Sequence, residues 1–469
     1  RINLSHTTYS KSIEGLNYGV KANIMRSKIG DAIMWQHDTL AYTALDDDPG
    51  YRDNAYITID PFINYTNSEK GIKHSFNSRY FRINIYPGYV DSAQFSQAQA
   101  QRYSNVYYTD YQFQKQVQDF LTITSGYTFK YSEGQDMVVY GKHINLNHSL
   151  YTQADLKYKK LNFSLGGRFE HYNDAGEIIN KPIIRSGINY KVAKATFLRA
   201  SYGEGIRFPT MLERFVTFNT GPVFIFPNQH LKPESGWSSE IGIKQGVKIG
   251  DWKGFIDLAA FVMEYDDMME FSFGIWGNDS LTLFDRSGFK SINIGKTRIK
   301  GLELSIAGEG EIGQTEIIIL GSYTYTVPLI DDVNKVYEID GNNNSLSYYT
   351  TSTDTSGLLK YRYEHLAKFD INLRRNRLNG GFSIRFNSDM NNIDGIFESE
   401  VFEGLMGLKS SRERLSGNTL IADFRVGYDL TEDCRISFNI DNMFNTEYLK
   451  RPASLSAPRT YSILYKLKF

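Results

Sequence analysis

The chain predicts an all-β fold, a transmembrane antiparallel β-barrel to which these residues contribute about nineteen strands, and three observations carry that expectation. Aromatic residues make up 14% of the 469 residues, with 33 Tyr and 30 Phe, while the mean hydropathy is negative at −0.40. Apolar and polar residues alternate in run after run, and the connections between runs alternate short and long. A helical membrane protein needs runs of about 18 or more apolar residues, which this sequence lacks. A membrane barrel shows one face to lipid and the other to a wet interior. It therefore stays hydrophilic on average while carrying aromatic girdles at both interfaces.

Along the chain, Arg1-Ile2-Asn3-Leu4 already reads as a strand. Short connections are expected at 11–15, 67–70, 192–195, 248–251, 308–313, 375–377 and 430–433. Long ones are expected at 29–53, 84–105, 132–145, 203–235, 272–291, 329–365, 389–416 and 444–458. The alternation is cleanest toward the C-terminus. Leu302, Leu304 and Ile306 oppose Gly301, Glu303 and Ser305, and Phe369, Ile371 and Leu373 oppose Asp370, Asn372 and Arg374. The closing run, YSILYKLKF, sets Tyr461, Ile463, Tyr465, Leu467 and Phe469 against Ser462, Lys466 and Lys468, with Leu464 the exception. Alone, that run suits a half-buried strand in water as well as one with a face in lipid. Short turns at one end and long loops at the other favour the membrane barrel, because a soluble sandwich has no physical reason to segregate its connections.

With the long loops facing outward, the first strand (2–12) and the last (459–469) both run toward the periplasm, so nineteen strands would close in parallel. Bacterial single-chain barrels have even strand numbers. Three further strands are therefore expected before Arg1, giving about 22, the size of the plugged outer-membrane transporters. No linker divides residues 1–469, so one barrel domain is expected across them. A net charge of −1 gives no argument for a nucleic-acid partner. The single Cys434 excludes an internal disulfide and a cysteine-based zinc site.

Five blocks resemble the TonB-dependent outer-membrane receptors of Gram-negative bacteria. GIRFPTMLERF (205–215) is similar to the family's Arg-x-Pro-Thr box, and FPNQHLKPESGWSSEIGIK (226–244) to the Asn-Pro-Asn-Leu-Lys-Pro-Glu box that follows it. NIGKTRIKGLELSIAG (293–308) resembles the Asn…Gly-Leu-Glu strand, FNIDNMFNTEYL (438–449) the Asn-Leu-Phe-Asn-x-x-Tyr segment, and PRTYSILYKLKF (458–469) the closing strand. Residues 1–200 resemble the family only in texture. The resemblance implies that the terminal Phe469 strand is read by the outer-membrane assembly machinery. It also implies a plug domain and a TonB-binding segment, to which nothing here corresponds, so both are expected before Arg1.

No nucleophile motif stands out, and neither an enzyme nor a cofactor is expected. In the first long loop, His37 lies near Asp46, Asp47 and Asp48. Three adjacent carboxylates read as solvated charge or, if functional, as a calcium site, since hard cations take several oxygens. His143 and His230 are the other loop histidines, candidates for a ligand contact or plain exposed side chains. Trp35, Tyr140, Phe224, Phe226 and Trp276 are candidates for a ligand vestibule, where aromatics offer area with few rotors to freeze, and equally for packing between loops. Arg207 could select an anion or hold its own loop.

The resemblance thus implies an outer-membrane active transporter that binds a scarce solute at its loops and imports it with energy from TonB. Its partners would be outer-membrane lipid, TonB, a small or oligomeric nutrient and a surface lipoprotein. The rivals are a passive channel, an outer-membrane hydrolase with Ser, His and Asp at the mouth, and a barrel kept as a scaffold subunit. The solute stays open, because fold does not fix function.

Overall fold

The computed structural model describes residues 1–30, 34–44, 51–87, 102–136, 141–174, 176–220, 223–277 and 286–468. Its main sheet contains 21 strands, of which Phe218–Thr220 and Val223–Phe226 are short pieces of one loop. The remainder, nineteen as the alternation implies, run as one antiparallel meander from Ile2–Tyr9 to Thr460–Leu467. Among the described residues, these two end strands each pair on one side only.

Connections at one end fall at 10–15, 68–71, 119–120, 159–160, 192–195, 250–251, 313–314, 376–377 and 430–433. The opposite end carries 208–233, 331–364, 388–418 and 442–459, so the segregation by length is real. Two connections at that end are short, against expectation. Strands Leu121–Asp136 and Gly141–Tyr158 leave only 137–140 where a loop over 132–145 is expected, and only two residues separate Asp174 from Glu177. Alternation continues there past the ~9–11 residues that a tilted strand needs to cross the bilayer.

A second difference lies at 308–313, where three glycines read as a turn. Strand Ser287–Ile312 continues through Gly308 and Gly310, and only Gly313, at φ +65°, belongs to the turn. The indole of Trp252 lies over Gly308, and the backbone of Asp251 and Trp252 lies against Gly310. A Cβ on Gly308 would stand 2.1 Å from the Trp252 ring, so the glycines serve a close approach rather than a reversal.

Register assigns the two faces. Ile241, Ala260, Leu302 and Tyr325 form one cross-strand row, and Ile243, Leu258, Leu304 and Tyr323 the next. Ile241, Leu258 and Leu302 are exposed, as a lipid-facing band must be. Residues of the other parity carry charge. Arg199 pairs with Glu240 at 2.8 Å and Asp257 at 2.5 Å, Arg425 bonds both oxygens of Asp370 at 2.8 Å, and Arg385 reaches Asp423 at 3.1 Å. Each such half-exposed pair contributes only ~0–1 kcal/mol, so their value lies in keeping charge on the wet side.

Strands Trp252–Ile275 and Ser287–Ile312 are 24 and 26 residues long, more than twice the spanning length. Beyond register shifts at Tyr265, Met268 and Met269 they rise above the bilayer as a two-stranded ribbon that the loops pack against.

Candidate functional site

The long-loop end is built as a packed layer. Helix Glu400–Met406 starts at Ser399, whose hydroxyl accepts the Phe402 N–H, and stops at Gly407, which has φ 64°. The Glu403 carboxylate accepts the backbone N–H groups of Lys409 and Ser410 at 2.8 and 3.1 Å. Those bonds hold its carboxyl below the usual range and cap the next helix, Leu408–Arg414. Phe402, Met406 and Leu408 bury themselves with Trp35 and Ala453, joining three loops in one apolar cluster.

Loop 331–364 packs on the ribbon through a second cluster of Tyr348, Leu359, Met268, Ile292, Ile294 and Ile330. Between the clusters lies a buried polar network. Lys360, 1% exposed, donates to Asp394 at 3.0 Å and to the Thr351 hydroxyl at 2.9 Å, with its ammonium 5.2 Å from the Tyr348 ring centroid. The Tyr348 hydroxyl donates to Glu270 at 3.1 Å and accepts the Lys360 N–H at 2.7 Å. Asp394 also accepts the Ile396 N–H, and its ion pair with Lys360 joins loop 331–364 to loop 388–418 beside the backbone bonds from Thr353 to Ile393 and from Tyr361 to Asn392. Burial pushes the Glu270 carboxyl up to about 6 and the Tyr337 hydroxyl up to about 12, and raises Tyr348 and Tyr361 further. These groups lie on the loops or on the ribbon above the bilayer.

The 205–215 block works as a clamp. Thr210 and Glu213 form a capping box, and Arg207 bonds Glu213 at 2.8 Å with Glu234 at 3.5 Å. Buried Arg214 pairs with Asp174 at 2.8 Å and Glu177 at 3.0 Å and donates to the Gln229 carbonyl. Phe208 stacks on Tyr172 at 3.9 Å and Phe215 on His143 at 3.6 Å. This segment therefore leans over the low rim left by the two short connections. The following block is tied down likewise. Asn228 donates to the Ser291 carbonyl at 2.9 Å, Asn293 exchanges hydrogen bonds with the backbone of Lys232, and Glu234 accepts the Met269 N–H at 2.9 Å.

The candidate residues therefore fall into distinct settings. Trp35 is 3% exposed, and its indole N–H donates to the Met406 carbonyl at 2.9 Å. His37 caps the turn Asp38–Leu40 and faces Asp38 at 2.8 Å. Arg207 and His143 sit in the clamp, and His230 is exposed with its backbone N–H on Asn228. Tyr140, Asp46, Asp47 and Asp48 lie outside the described residues.

Phe224, Phe226 and Trp276 do come together. Val223–Phe226 pairs in parallel with the ribbon, setting Phe224 beside Gly288 and Phe226 beside Lys290. A Cβ on Gly288 would meet the Phe224 carbonyl at 2.2 Å, so only glycine admits this approach. The Trp276 indole N–H donates to the Gly288 carbonyl at 3.0 Å, and the Lys290 ammonium lies 4.5 Å from its ring centroid and 3.3 Å from Glu338. Three half-buried aromatics and a cation at the barrel mouth can hold a flat or anionic solute. Sequence reasoning missed Lys290, Glu270, Lys360 and Asp394. Arg214 lay inside a quoted block, but nothing in its pattern disclosed the pairing.

The family model for the TonB dependent receptor-like β-barrel matches residues 4–443. Solved structures similar to the chain include the FrpB iron transporter of Neisseria meningitidis, with TM-score 0.68, 12% identity, and coverage of 99% of this chain and 70% of that one. The Serratia marcescens hemophore receptor HasR, solved with its hemophore HasA and heme, gives TM-score 0.64 at 13% identity, covering 97% of this chain and 69% of that one. The siderophore receptor PiuA of Acinetobacter baumannii gives 0.65 at 13%, covering 100% and 77%. Among curated proteins, hemoglobin-binding protein A of Haemophilus influenzae is 34% identical over 116 residues, 23% of this chain and 11% of that protein. The chain thus spans about a tenth of that relative and about seven-tenths of the solved chains. With a family match over almost its whole length and a barrel wall of the matching architecture, the chain belongs to the TonB-dependent receptor β-barrel family, outer-membrane transport proteins rather than enzymes.

Proposed function

We propose that this barrel is the wall and receptor face of an energised importer of an iron-bearing solute. The loop layer captures the solute, with Phe224, Phe226, Trp276 and Lys290 among the contacts, and TonB supplies the energy for passage. The single observation that carries the cargo class is the local similarity to a protein named for binding hemoglobin. Solved neighbours named as hemophore, iron and siderophore receptors support it. The wet inner wall, lined by the Arg199, Arg385 and Arg425 ion pairs, suits a plug that docks through polar contacts and can be remodelled. The proposal includes such a plug, a TonB-binding segment and the remaining strands elsewhere in the protein, and a surface lipoprotein as a further partner.

A deletion strain grown with hemoglobin, heme or a ferric siderophore as sole iron source tests the cargo. Loss of growth on one of these, restored by the gene, is the expected outcome. Unchanged growth on all three, with a defect on some iron-free nutrient, would overturn the cargo class and leave the transporter family untouched.

A further inference from the structure

The lipid-facing wall holds a depression that solute transport does not use. On its outer parity, Tyr202, Ser239, Val262, Lys300 and Val327 form one cross-strand row, directly above the row of Ile241, Ala260, Leu302 and Tyr325. Ala260 is short, while its neighbours Ile241 and Leu302 stand out at 64% and 49% exposed. The result is a recess of about 470 Å³ with a mainly apolar lining, closed at its upper edge by Val262, Lys300 and Val327.

Its height in the bilayer follows from the strand. Outward positions on Ser287–Ile312 are apolar from Ile312 through Ile306 and Leu304 to Leu302, about the span a tilted strand needs, and Lys300 is the first charge. Lys300 therefore stands at the hydrocarbon edge on the long-loop side, between Val262 and Val327. Among the described residues no hydrogen bond or ion pair engages its ammonium. Above it, Arg298 and Lys296 share Glu264 at 2.6 and 3.4 Å, and Asp266 stands farther from the bilayer. Glu204 stands in the same row as Glu264 and accepts the Tyr202 hydroxyl, so the carboxylates of that row already have partners and Lys300 is the cation left to face the lipid headgroups.

We propose that the recess is a binding site for one acyl lipid with a net-anionic phosphate headgroup, drawn from the leaflet on the long-loop side. Its chain lies over Ala260 between Ile241 and Leu302, restoring the dispersion contacts that an unfilled recess forfeits. Its phosphate meets the Lys300 ammonium, which the lysine stem carries up to the headgroup level.

The test is lipid binding to the complete gene product in detergent, read by native mass spectrometry with phosphatidylglycerol and with phosphatidylcholine of the same chains. The wild type should prefer phosphatidylglycerol about fivefold, the effect of one basic residue near an anionic lipid surface. Lys300→Gln should abolish that preference and Lys300→Arg keep it, whereas Ala260→Leu, which fills the recess with a side chain suited to lipid, should reduce binding of both lipids. Equal binding of the two lipids by the wild type would overturn the proposal. So would an unchanged phosphatidylglycerol preference in Lys300→Gln, or undiminished binding in Ala260→Leu.

Discussion

Arg214 shows how much one side chain can fix. Its guanidinium is buried against Asp174, itself almost fully buried, and holds the clamp segment on the low rim. Arg214→Ala would leave that carboxylate unpaired, a loss of about 3–5 kcal/mol for a buried pair broken on one side. Hydrogen exchange over 208–231 should accelerate strongly while the wall strands stay protected. Adding Asp174→Asn should recover part of the protection. Glu270 makes a second prediction, in pH. Its carboxyl, raised by burial to about 6, faces Tyr348, Lys360, Arg362 and Asp394. Because the folded value lies above the unfolded one, its stabilisation is complete below about pH 4.5 and is lost as pH rises through about 6. The loop layer should therefore weaken by about 2 kcal/mol across that window. Local exchange at 345–361 in Glu270→Gln should lose this pH dependence; an identical profile in the variant would remove Glu270 as its source.

At the scale of elements, the strands were legible and the loops were not. Strand positions repeat a two-residue pattern that burial enforces locally, so Leu302, Leu304 and Ile306 declare their face without knowledge of partners. Leu304→Arg, on the lipid face, should cut outer-membrane yield, since Arg near the bilayer midplane of a barrel costs about 2–4 kcal/mol. The adjacent Glu303→Arg, on the wet face, should assemble normally. Equal yields of the two would contradict the face assignment. Where the pattern misled, other physics had taken over: the glycines at 308 and 310 make room for Trp252, and the strands around 137–140 outrun the bilayer. The loop layer depends on pairs distant in sequence, Lys360 with Asp394 and Trp35 with Met406, which no local period encodes. The resemblance blocks marked the clamp region, yet their residues prove to anchor backbone, as Asn228, Asn293 and Glu234 do. Among the described candidate contacts, Phe224, Phe226 and Trp276 share one patch at the ribbon, because the parallel pairing of Val223–Phe226 with it brings them there.

For the whole molecule, a lipid-facing wall, a wet interior and a knitted loop layer are the parts that the proposed energised import would use. A wide polar interior alone would also suit passive diffusion, so the division between binding and passage is what separates the two. The loop layer is held by its own cores and should bind solute without energy, while transfer across the wall should need the inner-membrane proton gradient through TonB. The most direct measurement follows radiolabelled cognate iron source into cells before and after the gradient is collapsed with a protonophore. The account predicts that uptake stops while cell-surface binding persists at the same level; uptake continuing unchanged without the gradient would contradict it and make the barrel a passive channel.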